Sequence, residues 1–254
     1  MNNNYLVDTH FHLELADDVE TILNDAIKNN VKRFIISGCD KKSIRDGLEI
    51  INRYDNVYMT IGFHPDECDN IDDSDLEYIE KLVNNNHKII GIGEIGLDYH
   101  YNDFNCDRQK EVFEKQIKIA EKFNLPIVVH TREATEDTYE ILKNHKVKGV
   151  LHCYSGSLET AKEYIKLGYF FGIGGVLTFK NSKLKEVVKE LPIENLILET
   201  DSPYLAPEPK RGSKNEPKNI KIIANKLAEV KELNLNDVTN YTTSNAYRLF
   251  DLMR

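Results

Sequence analysis

No apolar run in the chain approaches the ~18 residues that cross a bilayer, so no transmembrane helix is expected. Cysteine is sparse. Cys39, Cys68, Cys106 and Cys153 lie far apart and form no Cys-x-x-Cys pair, which argues against a zinc ribbon and a dithiol redox centre. Met1 to Tyr5 has no basic stretch leading into an apolar one, so no secretory signal is expected. Reduced thiols in a cytoplasmic protein fit that pattern. Net positive charge is missing too. With 33 basic and 42 acidic side chains the chain carries −9, which excludes a protein that coats duplex nucleic acid through its overall charge. Contact with nucleic acid would be local, at an end or a single phosphate. A bound divalent metal would offset the acidity where it matters. There is no internal repeat, no low-complexity tract and no linker, so residues 1–254 are expected to form one domain.

What is present is a regular alternation of short apolar strands and amphipathic helices. Strands are expected at Tyr5–Thr9, Arg33–Ser37, Val57–Ile61, Ile89–Glu94, Ile127–His130, Gly149–His152, Tyr169–Ile173 and Leu196–Asp201. Helical spacing runs between them, most strongly from Asp107 to Phe123, and a capping box is expected at Ser74 and Glu77. Eight strand–helix pairs in this length match a closed (β/α)8 TIM barrel. A doubly wound open sheet is the competitor. Its dinucleotide fingerprint appears only in form, as Gly91, Gly93 and Gly96, and leads into a loop rather than a helix. The loop from Pro203 to Pro217 is too long to be an idle connection.

The carboxyl ends of these strands carry the chemistry. Strand one ends in His10 and His12, strand three in His64, strand four in Glu94, strand five in His130, strand six in His152 and strand eight in Asp201. In a barrel such ends share one rim, where active sites are built. Glu94 closes a strand that should be buried. An unpaired charge there is costly, so it needs either a Lys or Arg partner or a metal ion. The glycines beside it would let something approach closely, with room for metals and a phosphate. His10 and His12, two apart in extended chain, point to one side as a chelating pair. His130 or His152 singly is more often structural; together, at strand ends and in order, these residues point to divalent metal. Four or five imidazoles and two carboxylates exceed one tetrahedral site, and two metals use them better.

These residues carry a resemblance. Asp8 to His12, Gly62 to Pro65, Gly93 to Asp98, His130 to Ala134, His152 to Gly156 and Glu199 to Tyr204 are similar to the motif series of the TatD-type deoxyribonucleases, within the amidohydrolase-like hydrolases. The match runs from Val7 to Phe250, with Ser213 standing where a basic residue is more usual. The resemblance implies a TIM barrel with two divalent ions (Mg2+, Mn2+ or Zn2+). One ion would take His10, His12 and Asp201, the other His130 and His152, with Glu94 bridging. Phosphotriesterase-like relatives bridge with a modified Lys, and strand four here offers none.

The activity that the resemblance implies is hydrolysis of DNA phosphodiester bonds, exonucleolytic from a 3′ end. Asp201 would serve as general base, with Glu94 the second catalytic carboxylate. His64, Arg132, Ser155, Arg211 and Lys214 are the candidate substrate contacts. Glu199 shares strand parity with Asp201 and is expected to hold the outer N–H of a ligating histidine. Cys153 has the opposite parity to His152 and is expected to pack outward. Tyr99, His100, Tyr101 and Phe104 either stack bases of single-stranded DNA or pack the loop down. The competing activities are hydrolysis of a small amide, ester or phosphoester on the same barrel, and a non-catalytic metal-binding scaffold. Neither a membrane contact nor an obligate protein partner is indicated, and a monomer is the default.

Overall fold

A computed structural model describes residues 4–14, 17–100 and 105–252. Eight parallel strands follow one another around a single sheet in sequence order. They are β1 (Leu6–Phe11), β2 (Val31–Gly38), β3 (Val57–Ile61), β4 (Ile89–Asp98), β5 (Ile127–Arg132), β6 (Gly149–Leu151), β7 (Phe170–Ile173) and β8 (Leu196–Leu198). The helices between and after them are α1 (Val19–Lys28), α2 (Lys41–Arg53), α3 (Asp73–Asn85), α4 (Cys106–Phe123), α5 (Thr135–Leu142), α6 (Leu158–Lys166), α7 (Leu184–Glu190), α8 (Ile220–Lys231) and α9 (Leu235–Phe250). This is the expected TIM barrel. Among the described residues no helix is long and apolar enough to cross a membrane.

Two apolar layers hold the barrel. The outer faces of the strands pack on the helices through residues such as Phe34, Met59, Ile92, Val129, Phe171 and Leu198. The inner faces form a smaller cluster with one residue from each strand: Val7, Ile35, Tyr58, Ile90, Val128, Val150, Phe170 and Ile197. Ala246, Leu249, Phe250 and Leu252 join that cluster, so the last turns of α9 plug the amino-terminal mouth. The interior changes character two residues further along most of the strands. There stand Ser37, Thr60, His130, His152, Gly172 and Glu199, in phase with the apolar layer because side chains alternate across a strand.

β1 and β8 meet at a seam in which side chains take part. Thr9 Oγ1 donates to the Leu198 carbonyl at 2.9 Å. The Thr200 N–H and hydroxyl donate to Asp8 Oδ1 and Oδ2 at 2.9 and 2.6 Å. The Asp201 N–H donates to the His10 carbonyl at 2.9 Å, and the His12 N–H to the Ser202 carbonyl at 2.7 Å. β8 is shorter than its apolar pattern suggests, because the N–H groups of Thr200 and Asp201 turn to these partners. The capping box of α3 is also displaced from the expected Ser74 and Glu77. Asp72 caps the helix, accepting from Ser74 and Asp75, and Asp75 reaches back to the Asp72 N–H.

Candidate metal centre

The imidazoles and carboxylates at the strand ends converge on Glu94. This carboxylate is buried, and each of its oxygens faces a different group of histidines. Oε2 lies 3.4 Å from His10 Nε2 and 3.9 Å from His12 Nε2. Oε1 lies 2.8 Å from His152 Nε2, 2.9 Å from His130 Nδ1 and 3.7 Å from His64 Nε2. Asp201 Oδ1 closes the first group, 3.7 Å from His10 and 3.5 Å from His12. Its backbone φ of 54° turns the side chain out of strand register toward them. Among the described residues Glu94 has imidazoles around it where a Lys or Arg would have made an ordinary ion pair.

The donor set fits divalent metal. Ligand atoms of His10, His12 and Glu94 lie within 4.8 Å of one another, as do those of His10, His152 and Asp201, and those of His64, Glu94 and His130. Both ring nitrogens of His10 are buried without a hydrogen-bond partner, a costly state unless a cation takes one of them. Burial and the neighbouring His152 push the His10 ring down to about 4, which keeps it neutral. Burial opposes ionisation of Glu94, but His152, His10 and His130 outweigh it and hold the carboxyl well below the usual range. Neutral imidazole and ionised carboxylate are the forms that bind metal.

The structure adds Asp98, which the sequence reading left without a role. Its Oδ2 lies 2.9 Å from His130 Nε2, so the imidazole is held between Asp98 and Glu94. Burial opposes the charge on His130, and the two carboxylates still raise it to about 9. Asp98 is four residues beyond Glu94 on β4, and that even spacing in the strand is the signal that was available. Asp8 was also passed over. Burial pushes its carboxyl well up, against the donors of Thr200.

Glu199 is buried inside the barrel, as its parity required, but its bonding differs from expectation. It accepts the Cys153 backbone N–H. His152 Nδ1 lies 3.7 Å from the same oxygen, too far for a hydrogen bond. Burial raises the Glu199 carboxyl to about 7, with His152 opposing. Gly172 makes room for it, since a Cβ there would stand 2.1 Å from Glu199 Oε2. Cys153 does not pack outward. β6 ends at Leu151, Cys153 takes a left-handed φ of 46°, and the residue lines the cleft. The glycines of β4 serve the sheet itself. At Gly96 a Cβ would meet the His130 carbonyl at 1.9 Å, and at Gly93 it would meet Val128, so it is β5 that approaches.

The site opens to a cleft of about 750 Å³, lined among others by His64, Arg132, Ser155, Tyr204 and Leu205. His64 Nδ1 accepts the Asp66 backbone N–H at 3.2 Å, so in the neutral ring Nε2 carries the hydrogen. Arg211 and Lys214 are not brought to this cleft. Arg211 lies over the Phe179 ring at 3.9 Å, and Lys214 pairs with Asp17 at 2.8 Å. Tyr99 packs on the core and donates its hydroxyl to Asp137, and His100 pairs with Glu133. Tyr101 and Phe104 lie outside the described residues.

Comparison with known proteins gives this geometry a family. Residues 7–251 match the model of the TatD related DNase family. The metal-dependent hydrolase YabD of Bacillus subtilis is 43% identical over 252 residues, covering 96% of this chain and 98% of that one. The metal-dependent hydrolase YcfH of Escherichia coli is 34% identical over 258 residues, covering 98% and 96%. Among solved structures, the TatD homologue YjjV of Escherichia coli superposes with a TM-score of 0.93 at 28% identity, covering 99% of both chains. The barrel, the converging ligand set and these relatives agree: the chain belongs to the TatD family of metal-dependent hydrolases.

Proposed function

We propose that the protein is a deoxyribonuclease that uses two divalent ions to hydrolyse phosphodiester bonds at DNA ends, working from the 3′ terminus. The observation that carries this reading is the division of Glu94. Its Oε2 faces His10 and His12, and its Oε1 faces His130 and His152. One carboxylate serving two groups of ligands is the arrangement of a bridged pair. His10, His12 and Asp201 would hold one ion, His130 and His152 the other. Divalent ions at such a site polarise a phosphoryl oxygen and lower the pKa of water.

The chain's own groups do the rest. Asp201 accepts the proton of the attacking water as general base. Burial opposes its ionisation, but His12, His152 and His10 keep its carboxyl below the ordinary range, so it is ready to accept at neutral pH. His64 directs its Nε2 hydrogen at charge developing on phosphorus. Arg132 and Ser155, on the cleft wall, contact the flanking phosphate. The acidic chain, at −9, suits a strand end held locally rather than a long duplex gripped along its length.

The test is cleavage of end-labelled single-stranded and duplex DNA with Mg2+, Mn2+ or Zn2+, in wild type and Glu94→Ala. Loss of second-sphere groups at metal sites costs about 10–100-fold, so loss of this ligand should cost more. Undiminished cleavage in the variant would refute the bridging role. If small esters or amides are hydrolysed and DNA is not, the amidohydrolase-like alternative takes its place. If nothing is hydrolysed, the protein is a metal-binding scaffold.

A further inference from the structure

We propose that Tyr204 is the stacking surface for a nucleobase of the substrate, and so the residue that favours a nucleotide over other phosphoesters. The inference rests on the reading of the substrate as DNA and adds how its terminal residue is recognised.

Tyr204 is 60% exposed and Leu205 38% exposed, and they follow one another in the chain. The other large apolar side chains left exposed among the described residues, Tyr78 and Tyr241, sit on α3 and α9. Tyr204 and Leu205 instead line the cleft over the metal ligands. The Tyr204 ring stands edge-on to the His12 ring, with centroids 5.7 Å apart and planes at 69°. An apolar lip therefore adjoins a site otherwise lined mostly by carboxylates, imidazoles and small polar side chains.

This exposure does not come from a loose loop. Asn215 is buried, and its Nδ2 donates to the carbonyls of Thr200 and Tyr204, each at 2.8 Å. The Asn215 N–H donates to the Pro203 carbonyl at 3.0 Å, and the Tyr204 N–H to the Asp201 carbonyl at 2.9 Å. The Leu205 carbonyl sits where a side chain at Gly175 would be, 2.0 Å from a Cβ built there. The backbone that carries Tyr204 is thus fixed to the backbone that carries Asp201. A flat ring held open and rigid beside a phosphate site loses little conformational freedom when a base covers it. Stacking recovers the apolar surface, and it tolerates any base because each has a π-face. A sugar phosphate reaches the same ligands but brings no ring.

The test compares two probes by isothermal titration into Mn2+-loaded protein: deoxyadenosine monophosphate and deoxyribose phosphate. Wild type should bind the nucleotide about ten-fold more tightly. Tyr204→Phe should keep that preference, and Tyr204→Ala should bind both probes alike. If Tyr204→Ala keeps the preference, or weakens both probes equally, the stack is overturned. Equal binding by wild type alongside DNA cleavage overturns the stack and leaves the nuclease reading standing. Failure to bind either probe, together with no cleavage of DNA, overturns both.

Discussion

At the scale of the residue, the site depends on how each imidazole is aimed. His130 is the clearest case, because carboxylates hold both its nitrogens at 2.9 Å. Asp98 touches no other imidazole nitrogen of the cluster at that distance, so it acts through His130 by fixing the ring plane and turning Nδ1 toward Glu94. Asp98→Asn should lower metal affinity by about 10–100-fold, read by competition with a fluorescent chelator. Asp98→Ala should do the same or worse. Unchanged affinity in both variants would mean that His130 keeps its aim without Asp98. Glu199 follows another logic. It is wedged against Gly172 and accepts a backbone N–H, so it shapes the strand end that carries His152 and Cys153.

At the scale of the element, α4 is what fixes the ends of β3 and β4. Two of its glutamines, one heptad apart, each grip a single residue's backbone. Gln109 Oε1 accepts the Asp98 N–H at 2.9 Å while its Nε2 donates to the Asp98 carbonyl at 3.0 Å. Gln116 does the same for Phe63, at 2.7 and 3.1 Å. All four backbone groups are in the buried interior, where losing a partner is expensive. Gln109→Ala and Gln116→Ala should each cost about 2–4 kcal/mol in denaturant unfolding. Gln109→Ala should also weaken metal binding, because it frees Asp98. A variant with native stability would show that water replaces the amide.

α2 offers a pH test at the rim of the cleft. Asp40 caps it, accepting from Lys42 and Ser43 at 2.7 and 2.9 Å. Burial opposes the charge on Asp40, yet the donors of Ser43 and Lys42 prevail and its pKa is lowered. A lowered carboxyl stabilises the fold above its unfolded value and loses that contribution as pH falls through the folded one. Asp40→Ala should therefore cost about 1 kcal/mol at neutral pH. The gap to wild type should narrow below about pH 4. A gap that stays constant into acid would contradict the charged cap.

At the scale of the whole molecule, the barrel has one apolar end and one charged end. α9 seals the first, and the second gathers carboxylates and imidazoles that face one another. Metal binds the folded chain and finds no such cluster in the unfolded one. At a hundred times its dissociation constant it should add about 2.7 kcal/mol. For a chain of this size that raises Tm by roughly 5–10 °C. Differential scanning calorimetry with Mn2+ and with EDTA measures the shift, and Glu94→Gln should abolish most of it. A Tm that ignores metal would mean that the cluster is satisfied without a cation.

The sequence by itself determined the barrel and which imidazoles and carboxylates stand at its carboxyl rim. Alternating apolar patterns specify which strands form, and a polar residue closing a buried strand is visible without coordinates. The positions of His10, His12, Glu94, His130, His152 and Asp201 were legible for that reason. Long-range pairing was not. Which oxygen of Glu94 faces which histidine depends on the register of β4 against β3 and β5, and against β5 that register slips between Ile92 and Ile95. The pairing of Asp98 with His130 depends on β5 lying alongside β4, that of Asp8 with Thr200 on the seam with β8, and the posture of Tyr204 on Asn215 folding back beneath it. Arg211 and Lys214 carried the right charge for phosphate, but the fold gave them to Phe179 and Asp17. Local spacing decides what a residue is able to do. Only closure of the barrel, which brings distant strand ends within bonding distance, decides what it meets.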